Sequence, residues 1–270
     1  ALVGEAKAVV VPTWPAEPDG ELQASIGTLL AALQPKQLVG VYDAFGGNDE
    51  PIDAVADQLR NQGLKPAFEP LRIRQLPQGG DYQRCEEAGT DLGQILTRKK
   101  SIEALRSIDA NLDKALGRLT GGLYIVTASQ GEGDARRSGA MVASWVAQAS
   151  FRPPGLSVAV AKDRAIEALM QVGDRFVINV LRQDRYKPLM QHFLKRFPPG
   201  ADRFEGVNVL HGAAEGGPVL TDALAYLSCR VEQRMEGPDH WIIYALVEQG
   251  NVADIDGRTA VHHRKTGNHY

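Results

Sequence analysis

Two hydrophobic rhythms run along the chain, and one replaces the other near residue 120. In the first hundred residues, short β-branched runs alternate with apolar stripes of helical period. "AKAVVVPTW" predicts a buried strand ending in a loop, and Leu22, Ile26, Leu29 and Leu33 mark one face of the helix that follows. "QLVGVYDAFGGNDE" predicts a second strand running into a Gly-Gly loop. Ile52, Val55 and Leu59 then stripe a helix that stops at Asn61–Gly63. "AFEPLRIRQLP" supplies a third strand and "YQRCEEAGTDLGQILTRKK" its helix. A β-α-β-α-β-α order argues for a parallel sheet flanked by helices, a three-layer α/β unit over residues 1–100.

Leu105, Ile108, Leu112, Leu116 and Leu119 share one stripe, which predicts a linking helix over 101–121 up to Gly121-Gly122. Beyond it the pattern is strand-rich: "GLYIVTA", "GLSVAVA", "RFVINVL", "LAYLSCRVEQRME", "HWIIYALVEQGNV" and the tail "AVHHRKTGNHY". One helix is expected at "DRAIEALMQVG", with Asp163 as its N-cap and Ile166, Leu169 and Met170 as its buried face. Many strands with few helices predict a β-barrel or sandwich over 122–270.

Composition narrows the field. The chain has 270 residues, 30 Lys+Arg against 33 Asp+Glu and a net charge of −3, so no broad basic surface for nucleic acid is expected. Its longest apolar runs are too short for a bilayer span, and no signal-peptide pattern opens the sequence. Cys85 and Cys229 stand far apart without zinc spacing, which suits reduced thiols and a cytoplasmic setting.

The candidate chemistry lies in loops and small-residue stretches. "PTWP" and "YDAFGGNDE" follow predicted parallel strands, where open α/β sheets bind ligands. Their aromatics and glycines either sandwich a planar ring or simply pack a rim. Between "GLYIVTA" and "GLSVAVA" comes a polar, glycine-studded loop and then a run of small residues. Thr127, Ser129, Ser138, Ser144 and Ser150 offer hydroxyls there, while Gly139 and alanines 140, 143, 147 and 149 keep a wall low. Lys162 and Arg164 follow the next strand, within reach of a phosphate. The same stretch also reads as a tight barrel corner with solvated polar residues. His240 opens an apolar strand, either as a packing residue or as an imidazole at the barrel mouth. The basic tail reads as a cationic rim or as plain surface charge.

Several stretches together resemble the diflavin flavodiiron proteins of the cyanobacterial type, across essentially the whole chain. They are "LVGVYDAFGGNDEPIDAVADQL", "CEEAGTDLGQ", "GGLYIVTA", "SWVAQASFRPPGLSVAVAKDRAIEALMQVGDRFVINVL", "HFLKRFPPGADRFEGV", "GPDHWIIYALVEQGNV" and "AVHHRKTGNHY". The resemblance implies α/β plus β: a partial flavodoxin-like three-layer domain, then an FMN-binding split β-barrel like that of flavin reductases. In the first domain it points to Pro12, Thr13 and Trp14 on one side of an FMN ring, and to Tyr42, Phe45, Gly46, Gly47 and Asn48 on the other. In the barrel it points to Thr127, Met141, Ala143, Ser144, Trp145 and Ser150 around a flavin. Lys162 and Arg164 fall near the flavin phosphate, Asn179 on the following strand, and His240 in an Asp-His pair near the ring or nicotinamide.

The implied activity is that of an NAD(P)H:flavin oxidoreductase module. It would pass electrons through flavin toward a di-iron centre that reduces oxygen to water in the complete parent protein. One FMN is expected in the barrel, and a second is open in the flavodoxin-like part. The strand and phosphate loop that begin a flavodoxin-like domain are expected to be missing, which would weaken or abolish binding there. The six histidines, at 192, 211, 240, 262, 263 and 269, fit no H-x-[ED]-x-D-H pattern, so no iron is expected in this chain. The implied partners are NAD(P)H and a homo- or hetero-oligomer with a related flavodiiron subunit. A free-standing flavin reductase and a non-catalytic flavin-binding or dimerisation module are the alternatives.

Overall fold

The computed structural model describes residues 2–13, 20–43, 51–74, 76–106, 108–210 and 212–267. Its packing divides the chain into two units, one of residues 1–99 with 198–200 and one of residues 100–197 with 201–270.

In the first unit the chain runs through α1 (Leu2–Glu5), β1 (Ala8–Pro12), α2 (Gly20–Ala31), β2 (Leu38–Asp43), α3 (Pro51–Asn61), β3 (Lys65–Pro66) and β4 (Leu71–Arg72) into α4 (Gly79–Arg106). β1 and β2 are parallel, in register from Ala8↔Leu38 to Pro12↔Tyr42. Val11, Val39 and Val41 form one core cluster with Ile26, Leu30 and Leu33 of the α2 segment and Ile52, Val55 and Leu59 of α3. The single third strand expected from the sequence is broken. β3 pairs with β2 at Leu38–Val39 and β4 at Tyr42–Asp43. Pro66 and Pro70 have no N–H to give a ladder. Between them Phe68 lies against Gly40, where a Cβ would stand 2.2 Å from its Cζ.

The helix expected over 101–121 is also two pieces, the last turns of α4 and a separate α5 (Ala110–Leu116). Asp109 starts α5 by accepting hydrogen bonds from the N–H groups of Asn111 and Leu112 at 2.9 and 3.0 Å. The leucine stripe is not a buried face: Leu112, Leu116 and Leu119 are exposed.

The second unit contains α5 and then β5 (Gly121–Gly122), β6 (Tyr124–Gln130), β7 (Arg137–Ala143), β8 (Val146–Phe151), β9 (Pro154–Ala161), β10 (Arg175–Val180), α6 (Tyr186–Leu194), β11 (Val209–Leu210), β12 (Val219–Leu220), β13 (Ala225–Glu236), β14 (His240–Val252) and β15 (Val261–His262). Seven strands form one sheet in the order β7-β6-β10-β13-β14-β9-β8, with every pairing antiparallel. β7 and β8 stand at opposite ends of that order, yet only Ser144 and Trp145 lie between them. Three peptide steps reach no more than about 11 Å. The sheet therefore curls until its two edges meet at those two residues, and Ser144–Trp145 is the seam of a barrel.

The barrel encloses one apolar core, drawn from Val126, Met141, Val158, Phe176, Ile178, Val231 and Ile243 among others. Strand β6 is apolar on both faces because it serves two cores. Val126 and Ala128 point inward, whereas Ile125 packs with Leu189 and Phe193 of α6. The long strands β13 and β14 shift register at Ser228/Cys229 and Val231/Gln233, which bends them around the core.

Two further expectations change. The small-residue stretch is not a loop between strands: residues 137–143 and 146–151 are themselves β7 and β8. The helix expected at 163–173 is a single 3-10 turn over Ala165–Leu169, preceded by Arg164 with no side-chain cap, so Asp163 does not open it. Ile166, Leu169 and Met170 are buried all the same. Among the described residues, no helix is long and apolar enough to cross a membrane.

Candidate functional site

The barrel seam holds buried polar atoms without hydrogen-bond partners, as β13 does at Glu232 and Arg234. Ser144 is buried and its Oγ has no hydrogen-bond partner. Trp145, next to it, is 38% exposed although it sits where two sheet edges join. Its backbone carbonyl accepts from Ala159 N–H at 3.0 Å, which ties the seam to β9. The indole ring meets the imidazole of His240 with centroids 5.0 Å apart and planes tilted by 47°. Arg264 places its guanidinium 5.2 Å from the same indole centroid.

His240 owes its place to a tight turn. Gly237, Pro238 and Asp239 link β13 to β14, and Gly237 N–H donates to the His240 carbonyl at 2.8 Å. Asp239 accepts from His240 Nδ1 at 3.0 Å, and that bond holds the Asp239 carboxyl below the ordinary carboxylate range. The pairing fixes the ring's orientation and leaves Nε2 as the free end, buried and without a partner. A buried polar group left unpaired costs about 1–3 kcal/mol. Two such atoms beside a half-exposed indole suit a flat ligand with a hydrogen-bonding edge, and a planar flavin ring is such a ligand.

The other residues singled out from the sequence separate into three groups. Thr127 and Asn179, both expected at a cofactor, are fully buried and hydrogen-bonded within the protein. Thr127 Oγ1 donates to the Pro218 carbonyl at 2.7 Å. Asn179 Nδ2 donates to Ile125 O and Thr127 Oγ1, each at 3.2 Å, and its Oδ1 accepts from Leu220 N–H at 2.8 Å. These bonds anchor β12 under β6 and β10. Met141 and Ala143 are core residues on β7, with Ala143 leading directly into Ser144. Ser150 donates to the Pro153 carbonyl at 2.6 Å and lies 2.9 Å from the Tyr244 hydroxyl, so it locks the β8–β9 hairpin.

The low wall expected at Gly139 is occupied. A Cβ there would come within 3.2 Å of Ile166, so the missing side chain admits the 3-10 turn rather than a ligand. Lys162 is paired too. Its Nζ donates to Glu236 Oε1 at 2.6 Å and lies 5.3 Å from the centre of the Trp241 ring, while Arg164 is exposed beside Asp163. Glu236 therefore competes with any phosphate for Lys162. Glu236→Gln is expected to tighten binding of a phosphate-bearing flavin about two- to fivefold at low ionic strength and to lose that gain in high salt, as flavin fluorescence titrations will read.

In the first unit Pro12 and Thr13 end β1, and Thr13 N–H donates to the Tyr42 carbonyl at 2.8 Å. Thr13 is buried and its Oγ1 has no partner. Trp14, Phe45, Gly46, Gly47 and Asn48 lie outside the described residues. The sequence offered Arg264 only as one member of a basic tail and did not single out Gly121, yet both lie against the seam. The signal for Arg264 was a lone arginine among histidines in a basic tail. Gly121 carried none beyond being a glycine.

Known proteins resemble this chain at two levels, over its whole length and over the barrel unit. Diflavin flavoprotein A 1 of Synechocystis sp. is 55% identical over 269 residues, covering 100% of this chain and 46% of that protein. A Nostoc sp. relative provisionally named diflavin flavoprotein A 3 is also 55% identical over 269 residues, with 46% of its length covered. The chain thus spans about half the length of the curated relatives it matches. A crystal structure from Sinorhizobium meliloti 1021 is 28% identical with a TM-score of 0.50, over 58% of this chain and 52% of that one. Residues 116–268 match the family described as "Flavin reductase like domain", and the matched span holds the barrel and its seam. By that match, which takes in more than half of its residues, the chain belongs to the flavin reductase-like family.

Proposed function

We propose that this chain is the NAD(P)H:flavin oxidoreductase module of a diflavin flavodiiron protein. The observation that carries the reading is the pair of buried, unpartnered atoms, Ser144 Oγ and His240 Nε2, beside the exposed Trp145 ring at the barrel seam. Family membership and the full-length match to longer diflavin relatives support the module over a free-standing reductase. When bound, a flavin supplies the redox chemistry, taking an electron pair from NAD(P)H and releasing electrons singly.

The chain's own residues bind and orient. Ser144 offers a hydroxyl that donates or accepts at the ring edge. Trp145 covers a ring face and keeps water from it. His240, held by Asp239, presents Nε2 to the ring or to the nicotinamide carboxamide. Lys162 meets the phosphate once it leaves Glu236. In the flavodoxin-like first unit, a second FMN would lie at the carboxyl ends of β1 and β2, where Thr13 follows β1 with a buried, unpartnered hydroxyl. In the complete parent, electrons would pass from there to a di-iron centre that reduces oxygen to water. A homo- or hetero-oligomer with a related flavodiiron subunit completes the reading.

A visible absorption spectrum with cofactor extraction tests it. Yellow protein, or apoprotein that binds added FMN and then oxidises NADPH or NADH, is the expected result. Colourless protein that neither binds flavin nor oxidises nicotinamide overturns it. His240→Ala is expected to lower kcat/KM for NAD(P)H about ten- to a hundredfold while FMN affinity changes less than threefold, a split that steady-state kinetics and titration separate.

A further inference from the structure

The basic tail of the sequence divides, with His263 and Lys265 exposed and Arg264 buried. Arg264 is 8% exposed, and its guanidinium donates to the carbonyls of Gly267 at 3.1 Å and Leu116 at 3.3 Å while lying on Trp145. Its charge is already engaged. His262, two residues earlier, is the member of the tail with unused chemistry: its Nε2 is buried and has no hydrogen-bond partner.

The backbone carries His262 to the seam. β15 pairs with β5, setting His262 opposite Gly121 and Val261 opposite Gly122. Gly121 in turn lies against the seam itself, since a Cβ on it would stand 2.1 Å from the Ser144 carbonyl oxygen. One short ribbon therefore joins His262 to Ser144, and Arg264 extends the contact to Trp145. Three unpartnered buried atoms, Ser144 Oγ, His240 Nε2 and His262 Nε2, thus belong to three chain segments that all touch the Ser144–Trp145 seam. Each is left unsatisfied where proteins rarely tolerate it.

We infer that Nε2 of His262 hydrogen-bonds the amide-bearing edge of the ring bound at the seam, making His262 a third ligand contact beside Ser144 and His240. The inference rests on the flavin reductase reading above. The shared ligand chemistry is a planar heterocycle with an imide or carboxamide edge, supplied either by the flavin or by the nicotinamide. A phosphate suits the position poorly. Burial, with Arg264 and His263 adding to it, holds the His262 imidazole below the usual histidine range, so at neutral pH it is an uncharged donor and acceptor. The nearest guanidinium is spent on two carbonyls.

Two variants of the 270-residue chain separate a ligand contact from a packing role. His262→Leu removes the nitrogen; His262→Gln puts an amide nitrogen within reach of the same place. FMN is titrated into apoprotein by flavin fluorescence, and NAD+ and NADP+ are titrated into FMN-saturated protein. His262→Leu is expected to weaken one of these two bindings about tenfold, with His262→Gln within about threefold of wild type and circular dichroism unchanged for both. A loss in the FMN arm assigns the imide edge; a loss only in the dinucleotide arm assigns the carboxamide. Both variants binding like wild type overturns the contact and leaves the functional reading standing. Equal losses in the two variants, with a lowered melting temperature, also overturn it, because a packing role is then enough. Wild-type protein that binds no flavin overturns both.

Discussion

Asn179→Leu is expected to destabilise the barrel unit by about 2–4 kcal/mol and to leave the FMN affinity of the folded protein within about twofold of wild type. Leucine keeps asparagine's branched four-atom skeleton and is somewhat bulkier, so no cavity forms. The loss is polar. Leu220 N–H keeps no acceptor once the Asn179 carbonyl is gone, and Ile125 O loses the donor that Nδ2 supplied. All of this lies at a fully buried position, where water cannot substitute. β12 would loosen from β10 before the seam is touched. Urea denaturation followed by tryptophan fluorescence reads the change, since Trp145 and Trp241 both lie in this unit. For a unit of this size the melting temperature should fall by roughly 5–15 °C. A variant of normal stability with tenfold weaker FMN binding would return Asn179 to the ligand.

That contrast shows what the sequence could and could not tell. Strands β6, β9, β10, β13 and β14 were legible because they carry β-branched apolar runs or alternate, and those positions are largely buried. The α/β alternation of the first unit was legible for the same reason, in Val11, Val39 and Val41 against the stripes of Ile26 and Ile52. β7 and β8 were not. Their glycines, alanines and serines have weak strand preference, and they are strands because β6 and β9 give them ladders and Ile166 needs the room at Gly139.

Polar residues inside strands were correctly seen as unusual, but their partners were out of local view. Thr127 and Asn179 are answered by Pro218 and Leu220, far along the chain, and Lys162 by Glu236. Resemblance pointed to Ser144, Trp145 and His240, which the fold brings to one seam. It gave no place to Gly121 or Arg264, whose contacts with the seam exist only once a two-residue ribbon is laid on it.

Gly121→Val is expected to raise the FMN dissociation constant tenfold or more while the barrel stays folded. The Cβ would point at the Ser144 carbonyl oxygen, 2.1 Å away, and a backbone atom cannot rotate aside as a side chain would. Either β5 leaves β15 or the Ser144–Trp145 link moves. The first displaces His262 and the second displaces Ser144 and Trp145, so both outcomes spoil the same site. The cost to stability is about 1–3 kcal/mol, because β5 is a two-residue ribbon outside the seven-stranded sheet. Gly139→Ala is the matched control. Its Cβ also meets a close neighbour, at 3.2 Å, but that neighbour is Ile166 against the barrel strand rather than the seam. It should lower stability by a similar amount and leave FMN affinity unchanged. Calorimetric titration together with thermal melts separates the two profiles, and equal FMN affinities for both variants would place the flavin away from the seam.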